Sequence, residues 1–217
     1  MAQHSTQIRA VGHGAIVFVV DDDQDYRDSL KALFNSVDLK VESFGSATEL
    51  LGRKLPDVVS CLVVDVRLPG LSGLDFQAEL SKTNISIPII FMTGHGDIPM
   101  SVKAMKAGAV DFLTKPFRDQ DMLDAVTIAL ERDRTRRKAE QRLADLRSHL
   151  ERLSQREREV LALVATGLRN KQIAFQLNIA EITVKAHRGH VMQKMGAQSV
   201  ADLVKMAEAL GIKSPPS

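Results

Sequence analysis

One stretch limits the folds open to this chain more than any other: Cys61-Leu62-Val63-Val64-Asp65-Val66-Arg67-Leu68-Pro69-Gly70. An apolar run ending in a charge reads as a strand covered on both faces, the kind found in parallel sheets. Pro69-Gly70 marks the turn after it. Asp65 therefore stands at the carboxyl end of a central strand, where open α/β sheets place their ligands. A solitary Asp at that point would merely open a loop. Asp65 is not solitary.

Ala15-Ile16-Val17-Phe18-Val19-Val20 is a second buried-strand run, and it stops at Asp21-Asp22-Asp23. Asp25 is placed to cap the helix that follows, in which Leu30, Leu33, Phe34 and Val37 recur at helical spacing. Leu39 to Phe44 alternates like a short strand, and Ser46 starts a short helix through Leu51. A helix from Gly73 to Leu80 follows the Asp65 strand. Ile87 to Met92 is a further strand, ending in Thr93-Gly94-His95-Gly96-Asp97. A helix from Ile98 to Ala107 stops at Gly108. Ala109 to Leu113 is a fifth strand, leading to Thr114-Lys115-Pro116-Phe117.

Strands and helices alternating at this spacing predict a parallel sheet with helices on both faces. Right-handed crossovers then put every strand's carboxyl end on one edge. That edge gathers Asp21, Asp22, Asp65, Thr93 and Lys115 from distant parts of the chain. Crowded carboxylates repel, so they must protonate or hold a cation. Carboxylates with a backbone carbonyl and waters suit Mg²⁺. A hydroxyl and an ammonium opposite that cation suit a phosphoryl group.

Residues 15 to 130 resemble the receiver domain of bacterial response regulators. The likeness rests on Val20-Asp21-Asp22-Asp23, Val64-Asp65-Val66-Arg67-Leu68-Pro69-Gly70, Met92-Thr93-Gly94 and Lys115-Pro116-Phe117, in the right order and at the right strand ends. It implies that Asp65 accepts a phosphoryl group from a sensor histidine kinase. It implies that Asp22, Asp65 and the main-chain carbonyl of Arg67 hold Mg²⁺ (or Mn²⁺), with Asp21 reaching the metal through water. Thr93 and Lys115 would contact the phosphoryl oxygens, and the Lys115-Pro116 bond would be cis. Thr93 and Phe112 would form the family's hydroxyl-and-aromatic switch, although Phe112 reads equally well as a plain core residue. Thr93 to Met100 is especially like the FixJ branch, and His95 there reads as a loop residue rather than a base.

Beyond residue 120 the composition changes. The whole chain of 217 residues carries a net charge of only +2, but basic residues gather after residue 130. No Gly or Pro occurs between Phe117 and Thr166, which predicts a long helix. Ala139, Leu143, Leu146, Leu150 and Leu153 follow the spacing of a coiled-coil seam. The stripe reads either as a dimer seam or as a face packed on the chain's own domains.

Ser154 with Glu157 forms a capping box at the next helix start. Val160, Leu161, Leu163 and Val164 follow, and Gly167 ends that helix. Asn170 is placed to cap a short helix containing Ile173, Ala174 and Leu177. After a turn at Asn178, Glu181 to Met195 and Ser199 to Leu210 make two more. Two short helices around a tight turn suggest a helix-turn-helix. In the third helix Val184, Val191 and Met195 form the core stripe, leaving Lys185, Arg188, Gly189 and Met192 on the opposite face. Basic residues there are placed for the major groove of duplex DNA. Gly189 could admit a close approach to DNA or be a tolerated surface residue.

The strings Leu153 to Leu161, Gly167 to Ala174 and Thr183 to Arg188 look like the LuxR-type four-helix DNA-binding domain, over residues 153 to 210. The resemblance implies that Lys185 and Arg188 read bases or phosphates, and that Thr183, Lys171 and His187 contact the backbone. His187 could equally be a half-buried structural residue. Many relatives have a basic residue where Gly189 stands.

The whole chain thus resembles a NarL/FixJ-family response regulator. The expected architecture is a doubly wound, flavodoxin-like α/β receiver with a five-stranded parallel sheet, joined by a long helix to an all-α helix-turn-helix domain. The expected boundaries are a disordered arm at 1–13, the receiver at 14–120, a helical linker at 121–152, the DNA-binding domain at 153–210 and a frayed tail at 211–217. The expected partners are a sensor histidine kinase, double-stranded promoter DNA, RNA polymerase and a second copy when phosphorylated. In family receivers that pairing uses the fourth helix, fifth strand and fifth helix, here including Val102, Lys103, Lys106 and Ala107; Leu143, Leu146 and Leu150 would extend it.

The polar start lacks the apolar segment of a signal peptide, no stretch is apolar enough to span a membrane, and the one cysteine, Cys61, rules out an internal disulfide. A cytoplasmic protein is expected. A phosphotransfer or phosphatase protein whose tail only mediates assembly is the alternative from another class, but no second catalytic constellation follows residue 120. The chain is expected to be a phosphoacceptor rather than an enzyme, with slow self-dephosphorylation as its one allowed activity. An RNA-binding output is the other alternative; RNA modules usually carry stacking aromatics, and residues 153–210 offer only Phe175.

Overall fold

The computed structural model describes residues 14–71, 73–82, 85–94 and 98–212. The arm at 1–13, His95 and the tail from 213 lie outside them. The chain divides into two compact units, Met1–Arg137 and Lys138–Ser217.

In the first unit the elements run β1 (Ile16–Val20), α1 (Gln24–Asn35), β2 (Lys40–Phe44), α2 (Ala47–Leu51), β3 (Ser60–Asp65), α3 (Gly73–Lys82), β4 (Ile89–Thr93), α4 (Ile98–Lys106), β5 (Asp111–Thr114) and α5 (Asp119–Glu151). The five strands are parallel, in the order β2-β1-β3-β4-β5. Strand side chains alternate between faces, and the core follows that parity. Val17, Val19, Cys61, Val63, Ile90 and Met92 face one way, against Leu30 and Phe34 of α1 and Met122, Val126 and Leu130 of α5. Phe18, Val20, Leu62, Val64, Ile89 and Phe91 face the other, against Leu50 of α2, Phe76 and Leu80 of α3 and Ala104 of α4. Each fully buried aliphatic or aromatic side chain contributes about 1.5–3 kcal/mol. β3 is buried along its whole length, as its apolar run requires.

Some boundaries move. Asp23, not Asp25, caps α1: its side chain accepts from the N–H groups of Asp25 and Tyr26. Leu39 is buried just ahead of β2, and β4 and β5 each begin two residues later than their apolar runs. Ala109 and Val110 are still buried, because the turn that enters β5 lies against the core. The long helix begins at Asp119 and reaches Glu151, and the division between units falls within it.

In the second unit α5 is followed by α6 (Gln155–Ala165), α7 (Asn170–Leu177), α8 (Glu181–Met195) and α9 (Val200–Ala209). The capping box of Ser154 and Glu157 is present. Asn170 is the first residue of α7 rather than its cap, a place taken by Arg169. Asn178, at φ 51°, makes the left-handed turn between α7 and α8, a conformation Asn tolerates better than most residues. Val160, Leu161, Ile173, Val184, Val191, Met195 and Leu203 form the core. Leu146 belongs to this core and Leu150 packs against it. The end of the leucine stripe thus packs within its own unit, while Ala139 is exposed and Leu143 half-buried.

Candidate functional site

The four strand ends meet as their order dictates. Asp21 follows β1, Asp65 ends β3, Thr93 ends β4 and Lys115 follows β5. Asp21 and Thr93 are fully buried, Asp65 nearly so, and Asp22 is exposed. Lys115 Nζ donates to Asp21 Oδ2 and Asp65 Oδ2, both at 2.6 Å. One ammonium thus bridges two carboxylates 44 residues apart, an arrangement that repulsion between them would otherwise oppose. Asp65 Oδ1 accepts from the Arg67 N–H at 2.9 Å, and Asp21 Oδ1 from the Asp23 N–H at 3.0 Å. Burial pushes the Asp21 carboxyl up from its ordinary value, against the pull of Lys115. Burial also opposes charge on Lys115, but its bonds to Asp21 and Asp65 prevail and raise it. Carboxylate oxygens of Asp21, Asp22 and Asp65 lie within 4.8 Å of one another. Such hard oxygen donors suit a divalent cation.

Phe112 is half-buried against the core face that carries Phe91 and Ala104, and the Lys115-Pro116 bond is cis. Two further residues shape this site without having been singled out in the sequence. The ring of Tyr26 lies under Lys115, with Nζ 4.0 Å from its centroid, and Phe117 meets that ring edge-on at 6.1 Å. Gly73 opens α3 directly beside Asp65. A Cβ there would fall 2.7 Å from the Asp65 carbonyl oxygen and 3.1 Å from the Phe91 ring.

On the second unit Lys185 and Lys171 are exposed, while Thr183, His187 and Arg188 are half-buried. Arg188 Nη1 donates to Asn170 Oδ1 at 2.6 Å, so α8 is tied to the start of α7. The predicted faces of α8 need one correction. Met192 is not on the open face; it packs against the core, because the apolar stripe is wider than Val184, Val191 and Met195 alone. A Cβ on Gly189 would meet nothing within 4 Å, so packing does not require glycine there. Glu157 accepts from Lys194 Nζ at 2.7 and 2.9 Å and from the Ser154 N–H at 2.8 Å. Lys194 and that backbone bond hold its carboxyl down at about 2.

Comparison with known proteins agrees with this division. The family described as "Response regulator receiver domain" matches residues 17–127, and "Bacterial regulatory proteins, luxR family" matches residues 151–207. Nodulation protein W of Bradyrhizobium diazoefficiens is 65% identical over 200 residues, covering 92% of this chain and 88% of that protein. Response regulator protein TodT of Pseudomonas putida is 45% identical over 196 residues, covering 90% and 86%. The solved structure of response regulator StyR is similar with a TM-score of 0.80 at 46% identity, covering 90% of this chain and 98% of that one. Among the described residues no helix is long and apolar enough to cross a membrane.

Proposed function

The chain belongs to the two-component response regulators that join a receiver domain to a LuxR-type DNA-binding domain, and from that we propose that Asp65 is its phosphoacceptor. The observation that carries the reading is the bridge from Lys115 to Asp21 and Asp65 at the sheet's carboxyl edge. An Asp65 carboxylate oxygen attacks the phosphorus of a phosphohistidine on a sensor kinase. The P–O bond forms as the P–N bond breaks, and the leaving imidazole takes a proton. Lys115 keeps its charge beside the incoming oxygens, where a compact ammonium suits a phosphate. Thr93 supplies a hydroxyl to the same oxygens, with Phe112 as the ring that responds. Asp21, Asp22, Asp65 and the Arg67 carbonyl would hold Mg²⁺ or Mn²⁺, which when bound offsets charge on nucleophile and phosphoryl group.

The phosphorylated protein then pairs and binds promoter DNA, acting with RNA polymerase. The pairing face is supported by α4, where Ile98, Val102 and Met105 are 80%, 44% and 45% exposed beside Lys103 and Lys106. Leu146 is left out of that face because it is buried in its own unit. Lys185 and Lys171 are exposed cations of the helix-turn-helix, and Arg188 joins them from its bond to Asn170.

The test is Asp65→Asn with a small phosphodonor and Mg²⁺. The variant should form no acyl phosphate, and chelating the metal should stop the reaction in the wild type. Stoichiometric labelling of another residue in the variant would overturn the assignment.

A further inference from the structure

Glu157 of α6 and His187 and His190 of α8 each offer a ligand atom, and the three atoms lie within 4.8 Å of one another. They are remote in sequence from the acidic cluster of the first unit, and the DNA-binding reading uses only His187. His190 Nδ1 is 3.7 Å from Glu157 Oε1. Two ligands of a tetrahedral ion with bonds of 2.0–2.2 Å sit about 3.4 Å apart, so this pair needs only a small closure. His187 and His190 are three apart on one helix, which places them on one face. His187 Nδ1 is buried without a hydrogen-bond partner, a state that costs free energy unless something fills it. Glu157 is itself buried and ionised, and its Oε2 is already engaged by the Ser154 N–H. Among the described residues Oε1 accepts from Lys194 alone, at 2.9 Å, and it is the oxygen that lies beside His190.

We infer that Glu157, His187 and His190 form a binding site for a divalent transition-metal ion that ties α8 to α6. Two imidazoles and one carboxylate suit Zn²⁺ and its neighbours in the first row rather than Mg²⁺, which prefers oxygen alone. Water would complete the tetrahedron on the solvent side, where His190 is exposed. The group that competes with the ion is Lys194, whose ammonium now neutralises Glu157. Its side chain is partly exposed and can swing into solvent when a dication replaces it.

The experiment uses full-length, chelator-treated protein with excess Mg²⁺ present to hold the acidic pocket of the first unit. Zn²⁺ is titrated against a chromophoric chelator in the wild type, His190→Gln, His187→Gln and Lys194→Met, with circular dichroism confirming the fold of each. The wild type should bind a Zn²⁺ that both His variants hold more weakly by about tenfold or more, since losing even a group that only orients a ligand costs that much. Lys194→Met should bind more tightly than the wild type, because a competing cation has gone; a merely structural role for Glu157 would not produce that gain. Equal affinity in the wild type and His190→Gln overturns the site. So does unchanged or weaker binding in Lys194→Met, which would remove Glu157 from the ligands.

Discussion

Lys115 is held from three sides: by Asp21, by Asp65 and by the face of Tyr26. A cation over an aromatic ring gains about 0.5–2 kcal/mol, more as water is excluded. Tyr26→Leu should therefore slow phosphorylation by a small phosphodonor by several-fold, while Tyr26→Phe, which keeps the ring, should restore the wild-type rate. Equal rates in all three proteins would show that the ring does not position Lys115. Gly73 makes a steric prediction. Gly73→Ala puts a carbon against the Asp65 carbonyl, and overpacking of this kind costs about 1–3 kcal/mol. The variant should melt lower than the wild type and accept phosphate more slowly. The gathering of Asp21, Asp65, Thr93 and Lys115 was legible in the sequence because the first three stand directly after apolar runs and Lys115 two residues after one, and parallel topology sends such ends to one edge. Tyr26 and Gly73 were not, because their closeness to Asp65 depends on how α1 and α3 lean on the sheet. No local pattern records that.

Among the elements, α5 shows how a charged helix can still be anchored. Asp133 is fully buried. It accepts from the Ser60 N–H at 3.0 Å, from Arg136 at 2.6 Å and from Arg137 at 2.7 Å, while Arg137 also meets Asp57. In the sequence Asp133 was one charge in a run of many, and burial alone sets it apart. Asp133→Ala strips the buried Ser60 N–H of its acceptor, which costs about 1–3 kcal/mol, while Arg136 and Arg137 can turn to solvent. The variant should lower the melting temperature of the first unit and leave the second unchanged, as calorimetry would resolve. α8 carries the DNA prediction. If Lys185 holds a phosphate, Lys185→Ala should weaken all duplexes alike and lower the slope of log K against log salt by about 0.9. If Arg188 reads a guanine, Arg188→Ala should cost about 1–3 kcal/mol on operator DNA and relax preference at one base pair per half-site. The roles could be exchanged. Two variants with wild-type affinity, slope and preference would remove α8 as the reader.

For the whole molecule, phosphorylation should shift analytical ultracentrifugation from monomer towards dimer, and Val102→Glu should abolish the shift. Acid stability is set in part by Glu157. Its folded value of about 2 lies below the ordinary 4.5, so the unfolded chain binds its proton first as pH falls. The stabilisation is complete above about pH 5 and is lost between 4.5 and 2. In chelator, the difference in melting temperature between the wild type and Glu157→Gln should shrink across that window, and a constant difference would contradict it. The two-domain order was legible because strands alternating with helices give way after residue 120 to a charged stretch without Gly or Pro and then to helices alone. The partner of the leucine stripe was not, since identical spacing serves a second chain or the protein's own core.

Asp65 and Ser60 are the last and first residues of β3, about 16 Å apart at 3.3 Å per residue. One end of this strand carries the proposed phosphoacceptor and the other grips the outgoing helix through Asp133. Hydrogen-bonded neighbours on both sides, β1 and β4, keep such a strand from sliding. If Asp65 takes the phosphoryl group, β3 is an axle rather than a pushrod, and the expected route of the signal runs around it, along the edge formed by Thr93, α4 and β5. Hydrogen exchange makes the point measurable, because the Ser60 amide should stay equally protected in both states while amides of α4 change.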